Sequence, residues 1–146
     1  RAVRPADVAS KLTVTTMTPA ELRAHSARLG LDQEDLAKHL GVTGRTMRRW
    51  IAGTHTIPEG VATEVTRLAQ HTTEHVHALA EEIAESAPDE YGQRWAVTCR
   101  TEAAYREGTP HAQFPASWHR ALTFRAAEIA GARVRYEEDD QPETAT

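Results

Sequence analysis

The chain has 146 residues, 40% of them hydrophobic and 5% aromatic, which suits one domain or two very small ones with modest cores. Its net charge of −4 conceals an asymmetry: residues 17–70 carry seven basic against six acidic side chains, and residues 71–146 carry seven against fourteen. The single cysteine, Cys99, excludes an intrachain disulfide and a closed Cys/His zinc site and fits a reducing cytoplasm, while no apolar run reaches the roughly 20 residues of a spanning helix.

In chain order, residues 1–16 lack any helical or strand period and the apolar centre of a signal peptide. They are read as a flexible leader, with Met17 as the biological start. The character changes at Met17-Thr18-Pro19-Ala20-Glu21. Thr18 as N-cap, Pro19 in the first turn and Glu21 three residues after the cap predict a helix from Pro19 to about Leu29. Leu22, Ala24, Ser26 and Leu29 form its inner face, and Gly30 stops it.

Asp32 caps the next predicted helix, QEDLAKHL, which ends at Gly41. Thr43 caps a third, in which Met47 and Trp50 share one side while Arg45, Arg48 and Arg49 crowd the other. One face is made for burial and the other for anions. Two short helices joined by Gly-Val-Thr, the second bearing the arginines, are the ingredients of a helix-turn-helix. Such short helices persist only by packing on one another and on the helix that Pro58 opens.

Residues 18–70, and above all LGLDQEDLAKHLGVTGRTMRRWIAG, resemble the phage-repressor and Cro-like helix-turn-helix family. Leu29, Gly30, Gln33, Leu36, Ala37, Gly41, Val42 and Gly53 fall in register with its pattern. The resemblance implies binding of a double-stranded DNA operator through Gln33, Thr43, Gly44, Arg45, Thr46 and Arg49, with Arg48 flanking. Gly44 stands where a base-reading polar side chain is frequent, and Ile51 replaces a frequent Glu. Arginine's planar fork suits guanine O6 and N7, so Arg45 and Arg49 are assigned to base reading. Arg48, toward the side, is assigned to phosphate, and Gln33 to phosphate or to support of a reader.

From Pro58 to Glu85 the residues Val61, Val65, Leu68, Thr72, Val76, Leu79 and Ile83 recur at spacings of four and three, predicting one long helix. Its first half covers the DNA-binding unit, and Val76, Leu79 and Ile83 are left for the rest of the chain or for a second copy. After Pro88, RWAVTCR alternates with Trp95, Val97 and Cys99 on one side, and RVRY with Val134 and Tyr136. Both read as short strands whose edges pairing with another copy would relieve. Between them lie a short helix, Glu102 to Arg106, the loop GTPHAQFP, and a helix opened by Pro115 with Trp118, Leu122 and Ile129 as its apolar stripe. The acidic tail, residues 138–146, reads as disordered.

The expected fold is mainly α. A helix-turn-helix four-helix domain (17–70) is joined by a long helix to a small α+β dimerisation region (71–137), which uses Val76, Leu79, Ile83, Trp95, Val97, Trp118, Leu122, Val134 and Tyr136. This layout, with the link Ile57-Pro58-Glu59-Gly60-Val61, also resembles the short repressors found beside anti-CRISPR genes of phages and mobile elements, which implies a homodimeric autoregulator. The alternative is an antitoxin-like protein whose C-terminal half binds a foreign protein. His71, His75 and His77 read as solvated helix histidines and Cys99 as a core residue. No phosphate-binding loop, G-x-S-x-G or H-E-x-x-H occurs, so neither catalysis nor a metal or cofactor is expected.

Overall fold

The computed structural model describes residues 17–140, which are mainly helical with a small two-stranded parallel sheet. The expected leader (1–16) and the last six residues of the expected tail lie outside the described residues. The helices are α1 (Pro19–Leu29), α2 (Gln33–Leu40), α3 (Gly44–Ala52), α4 (Glu59–Glu85), α5 (Glu102–Gly108) and α6 (Ala116–Ala130). The strands are β1 (Trp95–Thr98) and β2 (Arg133–Tyr136), and a 3-10 turn follows at Glu137–Asp140.

Local signals set most of these boundaries. Thr18 and Glu21 form a reciprocal capping box at the start of α1, and Asp32, Thr43 and Thr101 cap α2, α3 and α5 through their side chains. Gly30, at φ 66°, ends α1 where no other residue would fit: a Cβ there would lie 2.3 Å from the Ser117 carbonyl oxygen and 2.8 Å from Ala121 Cβ of α6. In α1 the buried side is Leu22, Ser26 and Leu29, while Ala24, read as inward, is exposed.

One continuous core runs from Leu22 to Ala127, and the expected division near residue 70 falls inside α4. That helix buries Val65, Leu68, Thr72, Val76, Ala80 and Ile83. It makes its most extensive contact with α6. A threonine sits in this apolar seam because the Trp118 indole N–H donates to Thr72 Oγ1 at 3.0 Å, so the polar groups of both residues are satisfied in the interior. Phe114, on the loop before α6, lies against both Trp118 and His39 of α2, with ring centroids 4.7 and 5.4 Å apart. The C-terminal half thus braces α2 directly.

Several expectations for that half need correction. Val76 and Ile83, which were left for the rest of the chain or a second copy, go to the rest of the chain, and Trp118 and Leu122, assigned to the dimer surface, join them: the four are 1%, 5%, 8% and 4% exposed, buried in the chain's own core. Leu79 and Val134 are half-buried against the same core. The covering element is α6, which folds back along α4 instead of leaving the seam open. In α6 the buried stripe continues from Trp118 and Leu122 to Ala126, and Ile129 is exposed.

The strands pair with each other, in register from Trp95 opposite Arg133 to Thr98 opposite Tyr136. They are parallel because α5 and α6 form the crossover between them. The inward parity of β1 is the reverse of the expected one: Ala96 and Thr98 are buried, Trp95 is half-buried and Val97 is exposed. Trp95 tolerates its outward place because the Arg133 and Arg135 guanidinium groups lie 4.8 and 5.0 Å from its ring centroid and its N–H donates to Asp89 at 2.9 Å. Those hydrogen bonds, from Trp95 first and then the Gln93 amide, hold the Asp89 carboxyl below the usual range.

The start of the acidic tail is also ordered. Glu138 accepts from the Arg100 amide at 3.1 Å, Asp139 meets the Arg100 guanidinium at 2.7 Å, and Asp140 meets Arg135 at 3.0 Å. Two arginines of the sheet region therefore tie down residues expected to be free. Tyr136 lies under the Arg100 guanidinium, 4.8 Å from ring centroid to carbon.

Under the sheet, Thr98 Oγ1 and His119 Nδ1 are 2.8 Å apart, and Tyr105 packs on the imidazole at 5.2 Å between centroids. Burial, with a smaller contribution from the Arg120 charge, holds His119 below its ordinary value of 6.5. The unfolded chain takes up this proton first as pH falls, so the histidine's contribution is complete above about 6.5 and declines as the pH drops below it. His119→Gln keeps an acceptor for Thr98 and is expected to flatten this decline. Urea midpoints of both proteins between about pH 7.5 and 5 check it. A constant difference between them across that range would contradict the assignment.

Candidate nucleic-acid interface

The α2–α3 pair is held by short-range chemistry at every joint. The Asp35 amide donates to Asp32 Oδ1 at 2.7 Å, Gly41 turns the chain at φ 70°, and the Thr46 amide donates to Thr43 Oγ1 at 3.2 Å. Inside the corner Leu36, Ala37, Met47 and Trp50 are 0%, 2%, 0% and 6% exposed. Two anchors one turn apart fix the rotation of α3 about its axis, so its opposite face has a defined direction.

That opposite face is cationic. Arg45 and Arg48 are exposed and Arg49 is half-buried, α3 has no acidic residue, and none of the three enters an ion pair among the described residues. With Met47 and Trp50 marking the inward direction, Arg45 points about straight outward, and Arg48 and Arg49 lie roughly 50° to either side. Their guanidinium groups are thus available to an external anion.

The other residues singled out from sequence fall around this face in different ways. Gln33 is the first residue of α2 and half-buried, at the helix end where backbone N–H groups favour an anion. Thr43 is exposed, but its hydroxyl already accepts from the Thr46 amide and lies 3.0 Å from Thr46 Oγ1. Both threonines are therefore committed first to the cap. Gly44 is the first residue of α3, and a Cβ there would lie 3.2 Å from Arg48 Nη1. Ile51 is half-buried against the core.

Behind α2 lies a cleft of about 550 Å³ that sequence reading did not find, because its walls come from distant segments: Asp35, Lys38 and His39 on one side and Glu102, Arg106 and Arg120 on the other. Its charges are largely satisfied internally. Arg106 meets Glu102 at 2.7 Å, Glu102 accepts from the Ala116 amide at 2.7 Å, and Arg120 donates to the carbonyls of Cys99 and Arg100. The Ala116 amide is the main reason that the Glu102 carboxyl is held low. Burial, and then the neighbouring Asp32 charge, push Asp35 up. These contacts lie within one wall or the other, and across the cleft the two walls meet where Phe114 packs on His39.

His71 and His75 lie edge to face at 4.6 Å, and His75 reaches Trp118 at 5.9 Å, so their proximity is used in packing. Among the described residues no group of three or more metal-ligating side chains occurs, and no helix is long and apolar enough to cross a membrane. No protein-family model matches the chain, and a search of curated proteins found none similar to it.

Proposed function

We propose that the chain is a sequence-specific DNA-binding repressor in which α2, the Gly41-Val42-Thr43 turn and α3 form a helix-turn-helix, α3 being the recognition helix. The observation that carries this reading is the α3 face itself: three arginines without an acidic partner, aimed by buried Met47 and Trp50. A helix of this kind enters the major groove with its N-terminal residues on base edges, and the guanidinium fork donates to guanine O6 and N7. Arg45 and Arg49 read bases, while Gln33, at the start of α2, holds a phosphate and fixes the register.

One recognition helix reads too few base pairs to choose a site in a genome. The active form is therefore a homodimer presenting two copies of α3 about 34 Å apart to an inverted repeat. The repeat overlaps the promoter of the protein's own operon, which the dimer silences. The seam of α4 is filled within one chain, so the surface for the second copy is sought among the outward residues: Tyr91, Val97, Phe124 and Ile129, which are exposed, and the open edges of β1 and β2.

Footprinting on the DNA upstream of its own gene tests the reading. The expected result is protection of an inverted repeat, together with a light-scattering mass of twice the 16.1 kDa chain. A monomer that protects no upstream site would contradict it and would favour a protein-binding, antitoxin-like role.

A further inference from the structure

We infer that Arg48, not only Arg45 and Arg49, reads a base, because its guanidinium occupies the space that Gly44 leaves empty on the first turn of α3. The inference rests on the proposed reading of α3 as a recognition helix and names a further residue that sets its specificity.

Position 48 lies one turn after position 44, and long helical side chains lean back toward the N-terminus, over the residue four places earlier. With any other residue at 44, its side chain would cover that patch. With glycine the patch is bare, and Arg48 Nη1 comes within 3.2 Å of where a Cβ would stand. Thr43 does not compete for the place, because its hydroxyl is held by the Thr46 amide. The first turn is the part of a recognition helix that goes deepest into the major groove. A guanidinium laid along it points toward base edges, whereas one extended sideways would meet the phosphate backbone. The missing side chain at 44 is thus replaced by one borrowed from 48, and the base pair facing the first turn is read by an arginine fork, with guanine as the preferred base.

Arg48→Lys separates the two roles, since lysine keeps the charge that a phosphate needs but lacks the planar fork. Gly44→Ala tests the same space from the other side. Its backbone is helical, so alanine is tolerated, and its Cβ would push the guanidinium away. The full-length proteins are used to select from a pool of random duplex DNA, and affinities are then measured on the wild-type consensus, on each of its single base-pair variants and on an unrelated duplex.

For the wild type, one guanine facing the first turn is expected to be preferred by roughly 5- to 150-fold. In Arg48→Lys that preference falls to about threefold or less while affinity for the unrelated duplex stays within about twofold. Gly44→Ala weakens the preference at the same base pair, and the double variant is no worse than Arg48→Lys. Thermal midpoints no lower than the wild type's identify these as effects on recognition. Wild-type consensus binding with every base preference intact in Arg48→Lys would overturn the inference alone. A wild type that selects no sequence would overturn the reading of α3, and the inference with it.

Discussion

Gly30→Ala is expected to destabilise the chain by about 2–4 kcal/mol, whereas Gly41→Ala, at nearly the same backbone angles, is expected to cost about 1–2 kcal/mol. Both glycines end a helix in the left-handed region, at φ 66° and 70°, so both variants carry the conformational cost of a Cβ there. Only at Gly30 is there an obstruction. The new methyl group would stand 2.3 Å from the Ser117 carbonyl oxygen, a backbone atom that moves only if α6 moves, while nothing lies within 4 Å at Gly41. The difference between the two variants therefore measures how firmly α6 is seated on the end of α1. Urea unfolding of both proteins gives it directly. Equal costs at the two positions would mean that this contact contributes little to the folded state.

The second large effect falls on binding. Arg45→Ala combined with Arg49→Ala is expected to weaken operator binding by about 4 kcal/mol or more, at roughly 1–3 kcal/mol for each arginine–guanine pair lost, and a dimer loses each pair twice. Stability should change by no more than about 0.5 kcal/mol, because neither guanidinium enters an ion pair among the described residues. A thermal scan beside a binding titration separates the two quantities. Loss of affinity accompanied by an equal loss of folding would assign these arginines to the scaffold instead.

What could be read in the sequence was what depends on near neighbours. The caps at Thr18, Asp32 and Thr43, the glycine stops at 30, 41, 53 and 131, and the division of α3 into a Met47–Trp50 side and an arginine side are all decided within one or two turns. The α4 seam was legible as a seam, but its cover was not, because the partner of Thr72 is Trp118, 46 residues on. The parity of β1 was misread for a different reason. Its larger apolar residues, Trp95 and Val97, face outward, and the inward places hold Ala96 and Thr98. In four residues the apolar weight pointed the wrong way, and inward was defined only by α6, which lies against this strand. The ordered turn at Glu137–Asp140 likewise depends on Arg100 and Arg135 coming alongside it, one of them across the whole α5–α6 crossover.

For the arginine face, sequence spacing set the directions but not the reach. Arg48 and Arg49 stand at equal angles to either side of Arg45 on a helical wheel, and Arg48 was assigned to phosphate. Its lean over Gly44 brings its guanidinium to the first turn, and a wheel projected down the axis has no coordinate for that displacement.

The central claim, that this face binds duplex DNA, is tested most directly by measuring the affinity of the full-length protein for a duplex from upstream of its own gene across a salt series. Each cation brought onto the duplex releases counterions, so a dimer placing the three arginines of each α3 there should lose about three orders of magnitude in affinity between roughly 50 and 200 mM salt. A steep linear fall of log affinity with log salt is the predicted result. Affinity that is undetectable at the lowest salt, or that stays flat across the series, would contradict the account.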